Sequence, residues 1–210
     1  MVASSRKPRW LVPFAPWRGL GVLLLLMLPS AYAQAPAEIL LDAASSEVDY
    51  RSNTVLFRDL VITQGNSRVI AAQARSSGLD FVESTWSLNG GVRIELEGGS
   101  LTANEATVIF RRNRIATAEV SGPDTRFEQP LKNAQLARGA AAAIRYDAES
   151  ASITLQGKAS LTDGRNDIEG ERLIYDLNLQ RVRAGSSSGS EERVRIIIRP
   201  PAEASESPPP

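Results

Sequence analysis

Between residues 38 and 199 apolar and polar side chains alternate with period two along most of the chain, the mark of strands with one buried face. Val92-Arg93-Ile94-Glu95-Leu96 alternates without a miss. A strand over Thr54 to Thr63 puts Leu56, Leu60 and Ile62 on one face. Ala106, Val108 and Phe110 share a face, as do Ile153 with Leu155 and Leu173 with Tyr175. Glu38 to Asp42 reads as a first strand, and near the end Val194, Ile196 and Ile198 stand opposite Arg193, Arg195 and Arg199. The Ala-rich stretch Ala137 to Ala143 is the one candidate helix, but Gly139 and the alternation resuming at Ile144 make it a strand entry.

Turn compositions separate these runs: Gln64-Gly65-Asn66, Asn89-Gly90-Gly91, Arg111-Arg112-Asn113, Ser121-Gly122-Pro123-Asp124 and Asp163-Gly164-Arg165-Asn166. Gly and Asn supply positive φ there, and Pro a fixed φ. Strands recurring at this spacing predict an all-β sandwich, barrel or roll. An aromatic residue recurs at Tyr50, Phe81, Phe110, Tyr146 and Tyr175, with spacings of 31, 29, 36 and 29 residues. A period of roughly 30 residues predicts strand pairs stacked along one axis. Such a stack can enclose a long apolar slot.

The first 33 residues stand apart from this pattern. Arg6, Lys7, Arg9 and Arg18 precede an apolar run over Leu20 to Leu28, and Ala31-Tyr32-Ala33 fits a signal-peptidase site. The run is too short to span a bilayer, which requires about 20 apolar residues. Residues 1–33 are therefore expected to be a cleaved secretory signal, with an uncleaved anchor as the alternative. A single domain over 38–199 is expected to follow, and the Pro-, Glu- and Ser-rich residues 200–210 read as a disordered tail. The whole chain is neutral, with 24 basic and 24 acidic residues; without residues 1–33 it carries 20 against 24. That mild acidity argues against a nucleic-acid partner, which requires a clustered basic face.

Cysteine and histidine are both absent. There is no disulfide framework, no Ser–His or Cys–His arrangement and no usual zinc site, so neither metal nor cofactor is called for. Asp163-Gly164-Arg165-Asn166-Asp167 superficially resembles a calcium loop but lacks the frame of about 12 residues and its closing glutamate; a hairpin turn is favoured. Arg111-Arg112-Asn113-Arg114 could meet phosphate, yet a solvated turn that also discourages edge aggregation is favoured. Trp86 either lines a ligand path or packs in the core, and core packing is preferred.

The segment Leu56-Phe57-Arg58-Asp59-Leu60-Val61-Ile62-Thr63-Gln64-Gly65 resembles the OstA-like strand motif, phenylalanine-x-Gly-Asn-Val-x-Val-Thr-Gln-Gly. Ile153-Thr154-Leu155-Gln156-Gly157-Lys158-Ala159, Ile168-Glu169-Gly170-Glu171-Arg172-Leu173-Ile174-Tyr175-Asp176 and Gln180-Arg181-Val182-Arg183-Ala184-Gly185 are similar to further parts of that family. With the export signal, the chain resembles the OstA-like (LptA) family of periplasmic lipopolysaccharide-transport proteins over about residues 38–199. Arg58-Asp59 departs from the family's Gly-Asn, so the first turn or bulge is expected to differ. The long spacing from Phe110 to Tyr146 leaves the register of the middle open.

The resemblance implies an open, twisted β-jelly roll, folded like a taco, with lipopolysaccharide acyl chains between its sheets and sugars in water. It implies edge-to-edge self-association, with an LptC-like inner-membrane partner at one side and an LptD-like outer-membrane partner at the other. On that reading Leu56, Leu60, Ile62, Val92, Ile94, Leu96, Val108, Phe110, Ile153, Leu155, Leu161, Tyr175 and Ile196 line the trough. Glu38–Asp42 and Arg193–Arg199 are the terminal strands offered for pairing. Two alternatives stay open: a membrane-anchored LptC-like adaptor of the same export complex, and a carbohydrate-processing enzyme using Asp163 and Asp167.

Overall fold

The structure is a computed structural model that describes residues 38–78, 80–132, 135–185 and 193–199. The expected signal segment and the Pro-rich tail lie outside these residues. Among the described residues all regular structure is strand. The first half contains β1 (Ile39–Asp42), β2 (Ser45–Asp49), β3 (Thr54–Gln64), β4 (Ser67–Ser76), β5 (Glu83–Leu96), β6 (Gly99–Arg111) and β7 (Arg114–Ser121). The second contains β8 (Arg126–Pro130), β9 (Leu136–Ala140), β10 (Ala143–Asp147), β11 (Ser152–Thr162), β12 (Asn166–Asp176), β13 (Arg181–Ala184) and β14 (Arg195–Ile198).

The pairing resolves into two half-sheets that share the long strands. In the first, β2 pairs the start of β3, which pairs the end of β4, and the series continues through β5, β6, β7, β10, β11 and β12 to β13. In the second, β1 pairs the end of β3, and the series continues through β4, β5, β6, β8, β9, β11 and β12 to β14. All pairs are antiparallel. Each long strand bends midway and gives one half to each sheet, so the fold is a β-jelly roll folded along a line of corners.

Sequence dictates where that line runs. Asp59 (φ 51°) turns the corner in β3, Gly90 and Gly91 (φ 80° and 61°) in β5, and Gly157 and Lys158 (φ 81° and 51°) in β11. Registers shift beside the β5 and β11 corners, between Asn89 and Val92 and between Gln156 and Ala159, where one strand takes up an extra residue. Gly157 is required twice over: its φ disfavours any side chain, and a Cβ there would sit 2.8 Å from the Ala142 Cβ on the adjoining corner. Between β7 and β8, and again between β9 and β10, the corner is a break in the strand. Those two breaks lengthen the interval from Phe110 to Tyr146. The Ala-rich stretch is indeed strand: it supplies β9, the corner at 141–142 and the start of β10.

Facing sides of the two half-sheets form one core. Leu60, Trp86, Val92, Ile94, Leu101, Val108, Ile144, Ile153, Leu155 and Leu173 are each fully buried. Trp86 packs as the core reading expects, stacked between Phe57 and Phe81 at centroid distances of 5.5 and 5.2 Å, with Phe110 edge-on to Phe81 at 4.9 Å. The recurring aromatics share a place: all five lie at or beyond strand ends of the first half-sheet, on the side away from the corners. They are not equivalent there, since Phe110 and Tyr175 are buried while Tyr50 is 91% exposed.

One predicted face is wrong. Leu56 points outward and is 38% exposed; Val55 and Phe57 point inward instead. The corner at Asp59 advances the pleat by one residue, so inward positions run 55, 57, 60 and 62 instead of keeping strict alternation. Arg58 and Asp59, the departure from the family motif, sit at that corner.

Candidate functional site

Ten of the thirteen residues expected in the trough are buried within one interior cluster: Leu60, Ile62, Val92, Ile94, Val108, Phe110, Ile153, Leu155, Leu161 and Tyr175. They come from both half-sheets and converge because both sheets turn their apolar sides to the same space. Leu96 is half-buried at the margin of this cluster. Ile196 is 59% exposed, yet it lines a cavity beside Leu161 and Tyr175. Leu56 is not part of the interior; it lines a recess on the outer face.

Through its middle the interior is filled by protein side chains, not held open as a hollow trough. Space remains at the β12–β14 end, where a cavity of about 320 Å³ is lined by Leu161, Ile168, Tyr175, Val182, Ile196 and Ile198, with Asp163, Asn166 and Gln180 among its polar residues. A second recess of about 630 Å³ lies on the outer face of β2 to β5, among Ser45, Glu47, Leu56, Arg58, Gln73 and Arg75. Although larger, that recess is lined mainly by polar groups, which an apolar chain would strip of water without giving them a partner. The end cavity is the better apolar site.

The side of the roll away from the corners is its mouth, and two glutamine amides cross it. Gln64 at the end of β3 donates Nε2–H to the Asn113 carbonyl at 2.5 Å, and Gln129 of β8 donates to the Leu177 carbonyl at 3.3 Å. Behind the second clasp the Phe127 and Tyr175 rings meet at 5.5 Å. Sequence reasoning missed Phe127, Gln129 and both clasps. Only Phe127 and Gln129 left a local signal, as alternate positions of one short strand; the cross-mouth partners are 49 and 48 residues apart.

The carboxylates considered for chemistry are committed to structure. Asp163 accepts from the Arg165 and Asn166 backbone N–H groups at 2.8 Å and from the Asn166 amide at 3.0 Å. Burial pushes its carboxyl up, but these donors outweigh it and hold the group below its ordinary value. Asp167 pairs with Arg199, which lowers its carboxyl in the same way. The DGRND segment is thus a hairpin turn plus an ion pair that ties the residue after β14 to β12. Arg111, Arg112 and Arg114 are exposed around a hairpin in which Arg112 (φ 51°) and Asn113 (φ 60°) form the turn, the solvated reading.

Among the described residues, both ends of the roll finish in unpaired edges. β1 and β2 close one end, with Leu40 63% exposed. β13 and β14 close the other, with Ile196, Ile197 and Ile198 all exposed. Arg199 N–H bonds the Arg165 carbonyl at 3.0 Å. By antiparallel alternation Ile197 and Arg195 also bond β12, so the Ile196 and Ile198 N–H groups face outward. Unblocked apolar edges of this kind invite strand addition.

The described residues thus form an all-β roll folded on a line of corners, apolar within and with unpaired strand edges at both ends. The chain belongs to the LptA/(LptD N-terminal domain) LPS transport protein family, whose model matches residues 40–181. It is 26% identical over 154 residues to the lipopolysaccharide export system protein LptH of Pseudomonas aeruginosa, covering 69% of this chain and 87% of that one. It is 21% identical over 161 residues to the lipopolysaccharide export system protein LptA of Haemophilus influenzae, covering 71% and 92%. The crystal structure of LptH from Pseudomonas aeruginosa, described as the LptA homologous periplasmic component of the lipopolysaccharide transport device, matches with 22% identity and a TM-score of 0.47. That match covers 78% of this chain and 96% of LptH.

Proposed function

We propose that this protein is a periplasmic carrier that shields the acyl chains of lipopolysaccharide between its half-sheets and passes them from inner toward outer membrane. The observation that carries the reading is the convergence of apolar faces from both half-sheets onto one interior whose ends are open edges. Exposing an acyl chain of ten or so methylenes costs roughly 8 kcal/mol, at about 0.8 per methylene. A carrier needs no bond chemistry to offset that cost, only an apolar path. Asp163 and Asp167, bound to a turn and to Arg199, leave the carbohydrate-processing reading without a poised acid or base.

Edge strands β1, β2, β13 and β14 would join copies head to tail, and would receive an LptC-like protein at one side and an LptD-like protein at the other. Unlike edges pairing in this way do not close into a ring, so open oligomers result. Relatives named LptA and LptH favour this bridge over the anchored LptC-like adaptor. Loss of residues 1–33 from the exported protein, read by intact mass, separates the two.

A photo-crosslinking residue at Ile94, buried and inward, should capture lipopolysaccharide, and one at the neighbouring outward Arg93 should not. Equal capture at both positions would refute interior binding. Because the middle is packed, lipid entry must displace side chains there. Capture at Ile94 should therefore be slower than capture at Ile196 beside the end cavity.

A further inference from the structure

Among the described residues, two buried polar side-chain atoms have no hydrogen-bond partner: the Tyr175 hydroxyl and the Gln129 Oε1. Tyr175 is 2% exposed and Gln129 6% exposed, and a buried polar group left unpaired costs about 1–3 kcal/mol. Such pairs of orphans are rare in native proteins and call for an explanation. Tyr175 lines the cavity, and Gln129 is the cross-strand partner of Ala137, another lining residue.

The chemistry of the two orphans is defined. The Gln129 nitrogen is occupied by the Leu177 carbonyl, which can only accept, so the amide orientation is fixed and its free atom is an acceptor. Burial, and then the charge of Asp176, push the Tyr175 hydroxyl up, so it stays protonated at neutral pH and enters as a donor. Apolar walls with one donor and one acceptor match an aliphatic chain carrying a group that both accepts and donates. A carbonyl would satisfy only the tyrosine; a hydroxyl satisfies both.

We infer that the cavity at the β12–β14 end is a subsite for a hydroxylated acyl chain, whose hydroxyl accepts from Tyr175 and donates to Gln129. The inference rests on the carrier reading above and names the kind of chain the carrier prefers. Gln129 is next to the last residue of β8, and Tyr175 next to the last of β12, both at the mouth. A chain entering there keeps its head group in water, so the recognised hydroxyl lies a few carbons from the head.

The test is displacement of a fluorescent polyene fatty acid from the full chain by tetradecanoate and by 3-hydroxytetradecanoate, in wild type and Tyr175→Phe. Wild type should prefer the hydroxylated acid by about tenfold, the value of one well-placed hydrogen bond of about 1.4 kcal/mol. Tyr175→Phe should bind both acids equally while melting no lower than wild type, since it deletes an unsatisfied group and keeps the ring. A 12-hydroxy acid should gain little. Equal binding of the two acids to wild type, or a preference that survives in Tyr175→Phe, would overturn the subsite, the first meaning that water alone serves these atoms. If neither acid displaces the probe, the subsite falls and the carrier reading falls with it; if both displace it equally, only the subsite falls.

Discussion

Leu56 and Leu60 are four residues apart, chemically identical, and on opposite sides of the sheet. Leu60 is fully buried in the interior, whereas Leu56 is 38% exposed and edges a polar recess. Leu60→Ala should cost about 2–5 kcal/mol in urea unfolding and Leu56→Ala under about 1 kcal/mol. Equal losses would mean that the pleat does not shift at Asp59. The turn aspartates act at the same scale. Asp49 and Asp147 are lowered by serine and backbone donors, and Asp163 by backbone donors against the opposing effect of burial. A depressed folded-state carboxyl stabilises above its unfolded value, about 3.9 for Asp, and that stability disappears as pH falls through the folded value. Urea midpoints should therefore be flat near neutrality and fall below about pH 4. Asp163→Asn, which keeps an acceptor oxygen, should flatten part of that acid slope.

At the level of elements, the corners carry the fold. Gly157→Ala brings a methyl against Ala142 in a left-handed backbone and should destabilise by about 1–3 kcal/mol, whereas Gly164→Ala, with open space around its Cβ, bears only the cost of its φ. A thermal melt of the pair separates packing from backbone strain. Strand identity was legible because alternation is local: β5, β6, β11 and β12 each follow their apolar pattern through most of their length. Facing was less legible. A period-two count assumes an unbroken pleat; the family motif marked a turn or bulge at Arg58-Asp59, but not that it would turn the pleat by one. The Gly90-Gly91 corner, by contrast, announced a break, and its extra residue left Val92 and Ile94 on the expected side. The clasps could not be read at all, since nothing near Gln64 or Gln129 indicates which distant carbonyl each will meet.

For the molecule as a whole, β14 serves both the end cavity, through its Ile196 and Ile198 side chains, and the free edge, through its outward N–H groups. Ile198→Pro removes an N–H that faces the free edge and leaves the bonds from Arg199 and Ile197 to β12 in place. Sedimentation should show this variant monomeric and the wild type associated at the same concentration. A variant that associates as before would mean that the growing edge lies elsewhere. The two-sheet roll was foreseeable from the strand count and turns; its packed middle was not. The stacked strand pairs were expected to enclose a long apolar slot, but two sheets can close on aliphatic side chains when Trp86, Phe57, Phe110 and Phe127 are packed among them.

The shared strands have a mechanical consequence. Because each long β-strand passes unbroken from one wall to the other, the walls cannot slide past each other; they can only swing about the corners, as the covers of a book swing about its spine. Hydrogen-bonded neighbours swing together, so prising the covers apart at one page loosens the next. A guest lodged at the β12–β14 end would lower the work of admitting it one strand further in, and the same coupling would carry across a strand-to-strand joint into the adjoining copy.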